Sequence, residues 1–258
     1  MLRLRQICLV APELEPVVEQ VRRIFGVEVC HRDEAVAKYG LANALFVFGH
    51  QFLEIVAPLR GGTAAGRFLE RSGGRGAYMA IFDTSDPERR RTHVESLGVR
   101  VAHAMDVPGF RGIQLHPRDA RATMLEFDRS DGNERLDGRY WPAGEHWREH
   151  QRLDRVGGIP WIELSAPDPA DLAAHWARLI DVAVGCDEEQ LPALRFDLGA
   201  ARFVAAPAAA PERLSAMQVS VGDPAAVRAA ASSLGLPPAT DGFMLCGVRV
   251  VPRALFVQ

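Results

Sequence analysis

Short apolar runs and one amphipathic segment follow one another at the start of this chain, in an order that later recurs. Gln6 to Val10 (QICLV) is a mostly apolar run closed by Ala11-Pro12, and reads as a buried strand. Leu14, Val17, Val18, Val21, Ile24 and Phe25 then recur at three- and four-residue steps. That spacing lines one face of a helix, and Gly26 stops it. Val27 to Cys30, Ala44 to Phe48 and Phe52 to Val56 are three further strand-like runs, with Gly49 and His50 in the turn between the last two. The predicted unit is strand, helix, strand, strand, strand.

The same order returns from Gly76. AYMAIFD predicts a strand, and Asp86-Pro87 a capped helix start with proline at the first helical position. Gly98 stops that helix, and VRVAHAMDV, GIQLH and TMLEFD give three strands. Gln6 aligns with Met79, and Glu54 with Glu126, almost without a gap. A third copy starts at Pro160, where WIELSAPDPADL echoes QICLVAPELEPV. A fourth, compressed copy starts near Ser215. The fold expected is α+β, with four tandem βαβββ units paired into two open-barrel domains. The predicted boundaries are 1–130 for the first domain, 131–157 for a polar linker rich in aromatics, and 158–258 for the second domain.

Composition narrows the function classes. The 258 residues are 48% hydrophobic and 24% charged, with a formal net charge of -3, which suits a globular chain with a real core. No dense basic tract points to a nucleic acid. Arg89, Arg90 and Arg91 read as a solvated helix face. No apolar run is long enough for a membrane span, and no signal peptide is evident, so a cytoplasmic protein is expected. The four cysteines lie outside zinc-ligand spacing, and Cys8 and Cys246 read as small buried strand residues.

Two glutamates stand out against the apolar pattern. Glu54 sits in FLEIV and Glu126 in MLEFD, at equivalent places of two repeats. A carboxylate withdrawn from water needs compensation. A shared inner site explains both better than two separate exposures. Glu and Gln oxygens suit hard or borderline cations. Without a cation, two facing carboxylates would hold one proton between them and could serve as acid and base.

The repeat order resembles the vicinal oxygen chelate superfamily, which includes glyoxalase I, methylmalonyl-CoA epimerase, extradiol dioxygenases and bleomycin-resistance proteins. That resemblance implies an open barrel around a divalent metal, with ligand places at Gln6, Glu54, Met79 and Glu126. The segment LHPRDARATMLEF is similar to the one leading to the last metal glutamate of methylmalonyl-CoA epimerases. Tyr78 and Met79 stand where the epimerases carry a pair of histidines, and the glycines expected near Arg121 and Ala122 are absent. The metal set implied is therefore Gln6, Glu54 and Glu126, holding Mg, Mn, Ni, Zn or Fe. No nucleotide cofactor is implied.

The function expected is a glyoxalase-like isomerase or lyase acting on a small oxo or carboxylate substrate. Glu54, Glu126 and His116 would carry the chemistry, and Tyr78, Met79, Arg118 and His50 would contact substrate. The alternatives are a metal-free binding or sequestration protein of bleomycin-resistance type, or a catalytically degenerate homologue. In the linker, Tyr140, Trp141, Trp147, His146 and His150 would form a lid over the first domain or glue between the two. The second domain looks stripped. Trp161 is taken for the place of Gln6, Phe203 for Glu54, Ala216 for Met79, and an apolar residue near Leu255 for Glu126. That half would be structural or a platform for a homodimer.

Overall fold

The structure is a computed structural model that describes residues 1–255. The four repeats form as expected. The first comprises β1 (Leu2–Val10), α1 (Leu14–Phe25), β2 (Val29–His31), β3 (Leu41–Phe48) and β4 (Gln51–Pro58), and is followed by a short α2 (Ala64–Ser72). The second runs through β5 (Met79–Thr84), α3 (Pro87–Ser96), β6 (Val101–Val107) and β7 (Phe110–Leu115) to one helical turn, α4 (Pro117–Ala120), and β8 (Met124–Ser130). The third holds β9 (Val156–Ala166), α5 (Pro169–Ile180), β10 (Gly185–Cys186), β11 (Pro192–Arg195) and β12 (Ala200–Ala205). The fourth holds β13 (Arg213–Val221), α6 (Pro224–Ser233), β14 (Pro238–Ala239), β15 (Gly242–Leu245) and β16 (Val248–Ala254).

Helix punctuation follows the sequence. Asp86, Asp168 and Asp223 each accept a first-turn backbone N–H at a helix start with proline just inside it. Such caps are each worth about 1 kcal/mol. Gly26 ends α1 in the left-handed region at φ 64°, where glycine carries no Cβ penalty.

The strands form two eight-stranded sheets, ordered β2-β3-β4-β1-β5-β8-β7-β6 and β10-β11-β12-β9-β13-β16-β15-β14. Within each repeat the first and last strands pair in parallel, as β1 does with β4 and β5 with β8. The compact units interleave along the chain. One comprises residues 6–78, 142–160 and 216–258; the other comprises 1–5, 79–141 and 161–215. Glu54 belongs to the former and Glu126 to the latter.

Strand alternation fixes which face each side chain uses. In the unit containing Glu54, Phe25 of α1 meets Phe48 of β3 edge-on, with ring centroids 5.0 Å apart. Phe48, Phe46 and Ala44 are opposite Gln51, Leu53 and Ile55. These therefore share the helix-covered face, a layer apolar but for Gln51, in which a buried Leu or Phe contributes ~1.5–3 kcal/mol. Glu54 and Phe52 lie on the opposite face, beside Cys8 and Gln6 of β1.

Two expectations are corrected by packing. Arg90 is not a solvated residue. Its guanidinium lies over the Phe127 ring at 5.7 Å and donates to the Ile180 carbonyl, so its stem and head are half-buried. Cys246 sits in the turn between β15 and β16 at φ 47°, not in a strand. In the polar stretch 131–157, Asn133, Tyr140 and Trp147 are buried. Most of its charged side chains are exposed, and Asn133 is the polar side chain it buries, bonded to Asp83 and Thr84.

The loop before β8 holds two non-glycine residues in the left-handed region, Arg121 at φ 59° and Ala122 at φ 47°. Arg121 is anchored there by ion pairs to Glu212 and Asp171. Ala122 has no polar side chain to anchor it, and its Cβ strains the backbone at that φ. Ala122→Gly is expected to raise unfolding free energy by roughly 0.5–1 kcal/mol. Equilibrium urea denaturation would show it, and a lower midpoint would contradict it.

Candidate active site

The Glu54 carboxylate is buried, and side-chain amides hold both of its oxygens. Gln6 donates through Nε2 to Oε2 at 2.9 Å, and Asn43 through Nδ2 to Oε1 at 2.8 Å. The Asn43 amide has a defined orientation, because its Oδ1 accepts the backbone N–H of Asp33 at 2.9 Å. Its NH2 must then face Glu54. Asn43 and Gln6 are buried as well. Burial raises the Glu54 pKa, while hydrogen bonds from Asn43, Cys8 and Gln6 pull against that rise.

Tyr78 belongs to the same neighbourhood. Burial, with Cys8 and Glu54 adding to it, pushes its phenol up to about 12. The ring meets Phe68 edge-on at 5.2 Å. A phenol held protonated in this way is a hydrogen-bond donor at neutral pH. His50 is half-buried at the β3–β4 turn, 6.4 Å from the Trp147 ring, rather than free in solvent.

In the other unit Glu126 is also buried and also meets an amide from the adjacent strand: Gln114 donates Nε2 to Oε2 at 2.7 Å. Gln114 is directly opposite it in the β7–β8 register. Met79 is buried. Tyr140 is fully buried, and burial first, then the nearby charge of Asp128, lifts its pKa well above the ordinary value. Asp83 takes an amide hydrogen bond from Asn133 and an ion pair from Arg3 at 3.6 Å.

His116 caps the α4 turn. Its Nδ1 accepts the Arg118 backbone N–H at 3.3 Å and lies 3.1 Å from the Arg100 guanidinium. Arg118 is exposed. The structure thus brings together Gln6, Glu54 and Tyr78 in one unit. It adds Asn43 and Cys8 there, and Gln114 beside Glu126, none of which the sequence singled out. The missed signal resembles the one that marked the glutamates: a lone amide inside an apolar strand, in LANALFVF and FRGIQL.

Register also revises the second sheet. Cys8 pairs with Glu54, and the equivalent pair there is Glu163 with Arg202. Arg202, not Phe203, therefore stands where Glu54 stands; Phe203 is on the α5 face, edge-on to Trp176 at 5.9 Å. By the same reasoning Val251, rather than a residue near Leu255, takes the place of Glu126. Arg202 pairs with the buried Glu163 at 2.9 Å. This face keeps polar residues, but with a guanidinium where the first sheet has a carboxylate.

Among the described residues no three His, Cys, Asp or Glu side chains converge as a metal centre. Around Glu54 the donors are one carboxylate and two amides that turn their N–H groups toward it; in the other unit Met79 would offer only a soft thioether. The residues of neither unit, taken alone, fit a hard divalent cation.

The model of the glyoxalase-like domain family matches residues 7–180. The chain belongs to that family. Glyoxalase-like domains are part of the vicinal oxygen chelate superfamily, and the paired βαβββ sheets are its architecture. The chain is 24% identical over 131 residues to an ethylmalonyl-CoA/methylmalonyl-CoA epimerase of Cereibacter sphaeroides, covering 49% of this chain and 96% of that protein. A solved methylmalonyl-CoA epimerase in complex with methylmalonyl-CoA is 26% identical, covering 50% of this chain and 94% of that one, with a TM-score of 0.45. A hypothetical protein from Staphylococcus aureus shares the whole fold, with a TM-score of 0.68 over 99% of this chain and all of that one, at 12% identity. No helix among the described residues is long and apolar enough to cross a membrane.

Proposed function

We propose that this glyoxalase-like protein is an isomerase that moves a proton on the carbon next to a carbonyl, in a small oxo or carboxylate-bearing substrate. The observation that carries the reading is the buried Glu54 carboxylate, held by Gln6 and Asn43 beside a protonated Tyr78. Similarity to an epimerase supports the same reaction class.

Glu54 takes the α-proton as the C–H bond breaks, and the electron pair passes to the carbonyl oxygen. Tyr78 donates a hydrogen bond to that oxyanion. The proton returns from Glu54 to carbon, so nothing is gained or lost. Burial strengthens Glu54 as a base by raising its pKa toward working pH. Asn43 and Gln6 fix its orientation and keep it from being an uncompensated buried charge. In the other unit, Glu126 with Gln114 as its clamp is proposed as an acid–base group in its own right, and His116 as its auxiliary. No step is routed through a metal.

The reading is tested by proton NMR in D2O, following loss of the α-proton signal of short 2-oxo acids and 2-substituted carboxylates. Exchange above background is expected for the native protein. Asn43→Ala is expected to slow it by roughly tenfold to a hundredfold while leaving substrate affinity nearly unchanged. Absence of exchange from every substrate, with the protein folded, would remove the isomerase reading.

A further inference from the structure

The aromatic segment between the two sheets has a definite seat. The 3-10 turn Trp147–His150 lies in the same compact unit as Glu54. Trp147 is fully buried, and its ring meets Phe52 edge-on with centroids 5.3 Å apart. Phe52 precedes Glu54 by two residues on β4, and pairs with Gln6. It therefore shares the Glu54 face, the one opposite α1. The indole thus fills the same face of the sheet that carries the Gln6–Glu54–Asn43 cluster.

One hydrogen bond holds the end of this segment, and two contacts hold the start of β9, which follows it. Gln51 bonds the Ile159 backbone twice, donating to its carbonyl at 2.8 Å and accepting its N–H at 2.6 Å. Gln151 donates to the Gly49 carbonyl at 2.8 Å. A Cβ at Gly49 would lie 2.0 Å from the Gly157 carbonyl oxygen, so the two strands of backbone are in direct contact. Opening this segment would break the Gln151 hydrogen bond and bring the buried Trp147 ring into water, while β9 behind it is fixed by the other two contacts.

We infer that Trp147 is a specificity-determining residue: it closes the Phe52 end of the Glu54 face, so that the site takes short-chain oxo or carboxylate ligands and rejects longer alkyl chains. This deepens the proposed isomerase reading and rests on it for the location of the site. An aromatic ring in van der Waals contact with Phe52 leaves no room for an added chain along that line. Removing the outer part of the ring opens an apolar slot. Each methylene that enters it adds roughly fourfold in affinity.

The test compares native protein with Trp147→Leu and Trp147→Phe. Calorimetry measures binding of straight-chain 2-oxo acids with three to seven carbons, and deuterium exchange is followed on the same series. Native protein is expected to bind the three- and four-carbon acids best. Trp147→Leu is expected to shift the optimum by two carbons and to bind the longer acid roughly fifteenfold tighter than native protein does. Trp147→Phe should lie between them, with a fold preserved by the retained ring. An unchanged length profile in two folded variants would overturn the inference, and so would failure of every acid to bind native protein. Binding without exchange would leave the inference standing and defeat the isomerase reading alone.

Discussion

Glu54→Gln is expected to abolish proton exchange while leaving the protein at least as stable as before at neutral pH. The loss should be about a hundredfold to ten-thousandfold in rate, the usual contribution of a positioned general base. Stability should not follow, for a reason of linkage. Burial raises the Glu54 pKa in the folded state above its ordinary value of 4.5. The folded state then binds this proton more tightly than the unfolded state. The associated stability is fully present below pH 4.5 and is lost as pH rises through the folded-state pKa.

Glutamine has the same shape and never ionises, so the variant escapes that decline. It also fits the hydrogen bonds. Its carbonyl can accept from Asn43, whose orientation Asp33 fixes, and its NH2 can donate to Gln6 once the Gln6 amide turns over. Thermal melts should therefore coincide near pH 4 and separate at pH 7–8, with the variant higher. A variant less stable than native protein at neutral pH would mean that Glu54 is a favourably ionised group, as an ion pair or a bound cation would make it. Native exchange activity should itself rise with pH as Glu54 loses its proton.

Gly49→Ala should be among the most damaging small substitutions in the unit that carries Glu54. Gly49 has φ 64°, where alanine costs about 1 kcal/mol. Its new Cβ would also stand 2.0 Å from the Gly157 carbonyl oxygen, a backbone atom that cannot swing aside as a side chain can. Either the β3–β4 turn or the segment at 157 must move. That movement would also disturb the Gln151 and Gln51 hydrogen bonds to the same region. The combined cost is of the order of 3–5 kcal/mol, within the range of severe single-residue effects. For a chain of this size it corresponds to a fall of roughly 10 °C in Tm. Gly235→Ala is a matched control: it also has a left-handed φ, 73°, but no atom within 4 Å of the added carbon, so only the backbone term remains. Equal melting temperatures for the two variants would show that the contact at Gly157 carries no weight.

Much of this protein is written locally. The four βαβββ units come from hydrophobic period, from Asp-Pro helix starts and from glycine stops, all of which act over a few residues. The buried glutamates are legible in the same way, since an acid inside an apolar strand conflicts with its surroundings wherever the strand ends up. The sequence pattern therefore determined the class of fold, the repeat, and the two carboxylates that most need an explanation.

Tertiary structure decided the rest. Asn43 becomes a partner of Glu54 only through the antiparallel β3–β4 register, and its amide is oriented by a backbone N–H ten residues away. A single-residue slip in a strand exchanges its faces. That is why aligning letters put Phe203 in the place that pairing gives to Arg202. The segment 131–157 is polar in sequence, yet it carries Trp147 onto Phe52, a contact between residues far apart in the chain. Neither the register of non-local strands nor the seat of a loop is encoded in periodicity. Both depend on which surfaces remain to be buried once the local elements exist.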